Sequence, residues 1–583
     1  MSAQVVAING QTWRRCGGAA WRFAASEVSG KAKAMFGLLV ALLLAVNGVN
    51  VVSSYVGRDF MTAIEQRNMP EVLRWAVLYI GVFAVSTVVA VVYRFTEERL
   101  ALLWREWLTR RLVQVYFSER TYYRLDAKGA VANPDQRIAE DVRAFTTTTL
   151  SFTLILLNSL LTVVAFSGVL WSISPLLFVI AVLCATGGSA LIMVLGRPLV
   201  GLNYDQFDKE AAFRADLIHV SENAESVALL HHEGRLQTRL SRHFDALVAN
   251  LRRIIAVNRN LGYFTTGYYY LYQIIPALVV APLFIRGEVE FGVITQSTMA
   301  FTHLLGAFSL VVGNIQSISS FAAVVARLSA LGEGIEATGT AGASGLGIPC
   351  DTHVVRSPAT VPGASIEISE DPARVAYEGL TLRSPRDGRT LIEGLTVSVP
   401  HGMRVLIRGR DASAQVALFR ATAGIWYAGA GRIVRPGLDE ILFLPERPYL
   451  PPGTLRELLL LPQQEHAVPD DRILATLTAL DLDRVLARAG GLDVERDWDD
   501  ILSLDEQQLL AAARVLYAAP RFAFLDRPAT ALSPTQEERV LELLSARSIS
   551  YVTITETDEP TDRYDAVLDL TGEGAWTWSQ IPP

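Results

Sequence analysis

Between Arg404 and Trp426 the chain reads R-V-L-I-R-G-R-D-A-S-A-Q-V-A-L-F-R-A-T-A-G-I-W, with the spacing of a loop built to hold phosphate but not its residue types. Such a loop follows G-x-x-x-x-G-K-[ST] between a buried strand and a helix, so that backbone N–H groups, a lysine and a hydroxyl converge on phosphates and Mg²⁺. The apolar run Val405 to Ile407 predicts the strand, and the periodicity from Ala417 to Ile425 predicts the helix. Gly409 takes the place of the first glycine. Counting on, Ala414 stands at the second glycine, Gln415 at the lysine and Val416 at the magnesium-binding hydroxyl. Glutamine brings no positive charge, valine ligates no cation, and Asp411 adds a negative charge. The loop keeps the frame of a nucleotide site without its ligands.

Four further stretches follow in order. Leu442 to Tyr449 reads L-F-L-P-E-R-P-Y, Leu502 to Val515 reads L-S-L-D-E-Q-Q-L-L-A-A-A-R-V, Phe522 to Asp526 reads F-A-F-L-D, and residues 529 to 533 read A-T-A-L-S. This succession resembles an ATP-binding cassette. The resemblance implies that Glu446 replaces the Q-loop glutamine, that Ser503 and Asp505 lie in the signature motif with Asp505 at a glycine position, and that Asp526 is the retained Walker B aspartate. It further implies that Arg527 stands at the catalytic glutamate, Ser533 at the D-loop aspartate and Glu556 near the switch histidine. No catalytic position is then intact. Phosphoryl transfer rests on positioning and charge stabilisation, so ATP and Mg²⁺ are the family's cofactors while these residues are poorly suited to both. With two acids and one base where the γ-phosphate would lie, Arg527 is expected to pair with Glu446 or Glu556.

Composition places this cassette beside a membrane. Of the 583 residues, 51% are apolar and only 19% charged, against roughly 25% in soluble chains. The net charge of -7 gives no sign of a nucleic-acid partner. Three widely separated cysteines form no metal-spaced cluster, and no metal site is expected from them. Residues 13 to 34 interleave Trp13, Arg14, Arg15, Trp21, Arg22 and Phe23, the composition of a helix lying on a membrane surface. Six spans are expected: Met35 to Gly57, Trp75 to Tyr93, Leu150 to Ile173, Leu176 to Gly196, Tyr263 to Ile285 and Phe291 to Ile315. The basic segments between spans two and three, and between four and five, belong in the cytoplasm, with both termini. Their periodicity continues out of the spans (Glu97 to Tyr123, Tyr204 to Leu251), so the helices are expected to project from the membrane. Residues 331–364, rich in glycine, alanine and threonine, read as a flexible linker. The expected organisation is a transmembrane domain over 1–330, the linker, and a nucleotide-binding-type α/β domain over 365–583.

Two motifs in the membrane half carry a narrower resemblance. They are N-P-D-Q-R-I-A-E-D-V at Asn133 to Val142 and F-R-A-D-L-I-H-V-S-E-N-A-E-S-V-A-L at Phe213 to Leu229. The chain is similar to BacA/SbmA-like ABC transporters, relatives of the peroxisomal fatty-acyl carriers. That implies a six-helix membrane domain of the type IV exporter kind, fused to a degenerate α/β cassette and dimerising with a second half-transporter. Asn133, Asp135, Arg137, Glu140, Asp141, Glu210, Arg214, Glu222 and Glu225 are then candidates for coupling or proton handling, with Glu288 a further carrier. Pro134 suits a first helical position, and Glu222 and Glu225 at i, i+3 are expected on one helix face.

The function expected is a multi-pass half-transporter in the cytoplasmic membrane, in contact with lipids. It would move hydrophilic compounds or peptides without its own ATP hydrolysis, driven by an ion gradient. The alternative is a silent subunit paired with an ATPase-active partner.

Overall fold

A computed structural model describes residues 10–128, 131, 133–230, 233–313, 315–338, 348, 366–385, 387–460, 468–498, 501–556 and 560–582. They form two compact units, Met1–Ser357 and Pro358–Pro583.

The first unit is helical. Its elements are α1 (Gly10–Ala24), α2 (Ser29–Glu65), α3 (Met69–Phe117), α4 (Thr121–Lys128), α5 (Pro134–Gln136), a π-turn (Arg137–Asp141), α6 (Val142–Ile173), α7 (Pro175–Glu222), α8 (Ala224–Leu230), α9 (Glu233–Ile285), α10 (Gly292–Gly313) and α11 (Ile315–Ala337). Breaks fall where the local chemistry demands. Asn68 caps α3 by accepting from the Glu71 backbone N–H, with proline in the first turn, and Pro175 opens α7. At 1.5 Å per residue the 49 residues of α3 and the 53 of α9 reach about 74 and 80 Å, far beyond a hydrocarbon layer of about 30 Å. The helices therefore continue well outside any membrane they cross.

Among the described residues, five helices are long and apolar enough to span a membrane: α2, α3, α6, α7 and α9. They contain the first five expected spans. The sixth, Phe291 to Ile315, folds as α10, which is not among the five. Gln296, Ser297 and His303 interrupt its apolar character, and its position explains why it tolerates them. It packs against α2, α6, α7 and α9, so Gln296 and Ser297 are buried and His303 stacks on Phe166 at 4.5 Å. A second polar contact ties α2 to α6: Asn47 Nδ2 donates to Asn158 Oδ1 (3.0 Å) and Thr162 Oγ1 donates to Asn47 Oδ1 (2.8 Å).

The expected linker begins too early. Helix α11 continues to Ala337, because Leu331 and Ile335 are fully buried. Gly334 serves close approach there, since a Cβ would lie 2.6 Å from Val131. Residues 339–347 and 349–364 of that stretch lie outside the described residues.

The second unit runs β1 (Ile366–Glu370), β2 (Arg374–Arg383), β3 (Thr390–Pro400), β4 (Val405–Gly409), α12 (Ala412–Thr422), β5 (Gly429–Arg435), β6 (Ile441–Leu444), α13 (Leu455–Leu459), α14 (Asp470–Ala479), α15 (Asp483–Ala489), α16 (Leu504–Ala518), β7 (Phe522–Asp526), α17 (Pro534–Ala546), β8 (Ser550–Thr555), β9 (Ala566–Gly572) and β10 (Ala575–Gln580). The larger sheet has order β10-β9-β4-β8-β7-β6, parallel except for β10. Its inner strands are buried apolar runs, as a sheet covered on both faces requires. A four-stranded sheet, β1-β5-β2-β3, adjoins it. Ligand sites on such sheets form at the carboxyl ends of the parallel strands. Gly409, Asp526 and Thr555 are the last residues of β4, β7 and β8.

Candidate functional site

The loop from Gly409 to Gln415 closes on itself. Gly409 has no room for a side chain, since a Cβ would lie 2.3 Å from the Leu570 carbonyl oxygen. Gln415 is 1% exposed and turns inward, its Nε2 donating to the Gly409 carbonyl (3.1 Å) and the Thr555 carbonyl (2.7 Å). The glutamine thus laces β4 to β8 beneath the loop. At the mouth of α12, Asp411 is the N-cap and its Oδ1 accepts from the Ser413 N–H at 3.0 Å. A helix N-terminus attracts anions, and here the chain's own carboxylate takes that place. Arg389 pairs with the same carboxylate at 3.3 Å. Val416 follows, half-buried.

Across the sheet ends, Arg527 gathers three carboxylates. Its Nη2 lies 2.7 Å from Glu446, its Nη1 2.9 Å from Glu556 and its Nε 3.4 Å from Asp526. It reaches both of the glutamates expected as alternatives. Arg527 sits in the left-handed region, φ 49°, its N–H donating to Ile554 O at 2.9 Å. Burial pushes the Asp526 carboxyl above the usual range, opposed by the Arg527 charge.

Ser503 caps α16 in a reciprocal box with Glu506. Glu506 is tied to Arg488, and despite burial its carboxyl is held below the usual range by that arginine and by the Ser503 backbone. Asp505, half-buried, occupies the first turn of this helix. Gln508, which motif reading passed over, is buried and donates to the carbonyls of Pro445 and Glu446 at 3.2 and 2.6 Å. It fixes the segment carrying Glu446 against α16.

In the first unit, the Asn133 to Val142 motif forms a clamp. Asn133 has φ 48° and precedes Pro134 at the first position of α5, with Asp135 in the first turn. Glu140 accepts from Gln136 at 3.2 Å. Asp141 is 3% exposed and accepts a two-pronged bond from Arg327 of α11, from Nε at 2.8 Å and Nη2 at 2.6 Å. Arg137 donates to the Arg327 carbonyl at 2.9 Å. Hydrogen bonding to Asp141 pushes the Arg327 guanidinium further up. Arg327 lies 186 residues away in sequence with no motif around it, and only the fold shows the pairing.

Comparison with known proteins fixes the family. Residues 22–285 match the model of the ABC transporter transmembrane region 2. The chain is 34% identical to an uncharacterised ABC transporter ATP-binding protein of Synechocystis, over 94% of this chain and 81% of that protein. It is also 34% identical to the chloroplastic ABC transporter D family member 2 of Arabidopsis thaliana, over 94% of this chain and 84% of the relative. A lysosomal cobalamin transporter of Homo sapiens is 25% identical over 84% of this chain and 83% of its own length. The chain belongs to the ABC transporter family.

Within this ABC transporter the remaining candidates are dispersed. Glu210 accepts from Gln206 at 3.0 Å, and Gln206 in turn accepts from Asn250 of α9 at 3.1 Å, which buries a polar link between α7 and α9. Arg214 is exposed, and Glu288 pairs with Arg286 at 3.0 Å. The helical periodicity expected from Tyr204 to Leu251 is shared among α7, α8 and α9. Helix α7 ends at Glu222 and α8 starts at Ala224, with Asn223 (φ −115°, ψ 27°) between them and its Nδ2 bonded to the His219 carbonyl. Asparagine competes for backbone partners and so favours such an end. Glu222 and Glu225 therefore belong to different helices; their side chains lie outside the described residues.

Proposed function

We propose that this chain is one half of a dimeric, BacA/SbmA-like transporter in the cytoplasmic membrane, moving a hydrophilic compound or peptide without hydrolysing ATP itself. The observation that carries this is the closed loop: Gln415 spends its donors on the Gly409 and Thr555 carbonyls while Asp411 caps α12. MgATP does not fit these residues. Positions 415 and 416 hold glutamine and valine where a lysine and a hydroxyl would meet phosphate and Mg²⁺, a carboxylate stands at the helix N-terminus, and Arg527 stands where a carboxylate would orient water. The cassette unit serves as a dimerisation and force-transmitting module, and the driving force is an ion gradient. The human relative is named for cobalamin, itself a bulky hydrophilic cargo. Both termini lie on the cytoplasmic side in this reading.

The test is uptake of a labelled hydrophilic peptide into proteoliposomes holding the full-length chain. The reading expects uptake with an imposed pH gradient, abolished by a protonophore and indifferent to MgATP. Uptake driven by MgATP alone contradicts it. Uptake that requires both MgATP and a second, intact half-transporter replaces it with the silent-subunit reading.

A further inference from the structure

A cavity of about 470 Å³ lies between α1, α2, α3 and α6, well within the range that accommodates small ligands. Its walls are apolar, with Phe23, Phe36, Leu100 and Leu150 among them, and the exposed Lys33 stands at its edge. Two polar groups in the lining have no partner among the described residues. Trp104 is 4% exposed and its indole N–H is unsatisfied; the buried Thr149 hydroxyl is unsatisfied too. The neighbouring threonines show what Thr149 forgoes: Thr146, Thr147 and Thr153 each return their hydroxyl to the carbonyl four residues earlier. A buried unpaired donor costs free energy, so two in one cavity point to an acceptor that completes them.

The position of the cavity narrows the occupant. Helix α1 buries Cys16, Ala19 and Phe23 against the bundle while Trp21 is 73% exposed, an amphipathic helix with Arg14, Arg15 and Arg22 along it. Lys31 and Lys33 immediately precede the uncharged run of α2 that starts at Met35. This is the level at which headgroups meet acyl chains.

We propose that the cavity binds one anionic glycerophospholipid of the surrounding membrane. Its acyl chain fills the apolar walls, its ester carbonyls accept from Trp104 Nε1–H and the Thr149 hydroxyl, and its phosphate faces Lys33. A bound lipid of this kind fastens α1 to α2, α3 and α6.

Native mass spectrometry of the full-length chain, stripped of lipid in detergent and titrated with phosphatidylglycerol or phosphatidylcholine, tests the proposal. The wild type is expected to hold one phosphatidylglycerol at least about fivefold more tightly than phosphatidylcholine, a gap of about 1 kcal/mol. Lys33→Gln should erase that preference, and Trp104→Phe should weaken both lipids about fivefold. Gly17→Leu and Gly37→Leu should each weaken both by at least about tenfold, because both glycines line the cavity, a Cβ on either meets nothing within 4 Å, and leucine is the better helix former. Wild type that holds no lipid or holds both equally overturns the proposal, as do glycine variants that bind like the wild type. Should a glycine variant unfold early, Lys33→Gln decides alone: an unchanged preference for phosphatidylglycerol overturns it.

Discussion

Asp141 and Asp526 are both carboxylates next to an arginine at the edge of an element, and their surroundings differ in kind. Asp141 is buried and satisfied by one guanidinium from a distant helix, in a two-pronged geometry that joins the start of α6 to α11. Asp526 ends β7, and its neighbour Arg527 divides its guanidinium among Asp526, Glu446 and Glu556. The first pair holds two helices in register and stands or falls as a unit. The second balances charge at the carboxyl ends of β7 and β8, and its groups are partly hydrated. Mutation should therefore separate them in size and in pH dependence.

The largest effect belongs to the clamp. Arg327→Leu strips buried Asp141 of both guanidinium hydrogen bonds and leaves it the unbonded charge of Arg137; it should cost about 3 kcal/mol, read as a large drop in the unfolding temperature of the full-length chain in detergent. A drop no larger than that of an exposed ion-pair variant would dissolve the comparison. Next is Gln415→Leu, which deprives the Gly409 and Thr555 carbonyls of their donor and should cost about 1–3 kcal/mol, read in the denaturant midpoint of the second unit's transition.

Arg527→Gln comes third, at about 1–2 kcal/mol near neutrality, and its pH dependence sharpens the contrast. The Asp526 carboxyl titrates above its ordinary 3.8 in the folded chain, so this group withdraws stability as pH rises from that value through its folded pKa. Arg527 opposes the shift; removing it pushes the carboxyl higher and should make the deficit grow with pH. Unfolding midpoints at acid and neutral pH check this, and a deficit that shrinks with rising pH would contradict it. Asp565 behaves in the opposite sense. Arg404, hydrogen-bonded to it, holds its carboxyl below the usual range, so the stability lost in Arg404→Gln should be present above pH 3.8 and fade as pH falls through the folded pKa. This is the smallest effect, since the pair is substantially exposed, and a deficit that persists at low pH would contradict it.

The uneven legibility of this chain has physical causes. Strand β4 is readable because an apolar run ends at a glycine, and the first five spans because uncharged apolar stretches of that length serve little else. The loop at Gly409 was readable from spacing, and Asp411 from its charge, though its role as cap needed the helix in place. The sixth span is less plainly legible, because α10 is shielded by neighbouring helices and its buried polarity need not satisfy lipid. Glycine in G-E-G misled for a related reason: Gly334 permits close packing of α11. Pairings such as Asp141 with Arg327, and the unsatisfied Trp104 beside Thr149, depend on helices far apart in sequence and leave no local pattern.

We propose that the cassette unit is closed to MgATP by its own side chains. The most direct test is equilibrium binding of MgATP, with phosphate release, by the purified full-length chain beside a variant carrying Gln415→Lys, Val416→Ser and Arg527→Glu. The account predicts neither binding nor release above background for the native chain, and measurable binding for the variant. Tight MgATP binding by the native chain would contradict it, because Gln415 and Asp411 would then have to leave the contacts they make here.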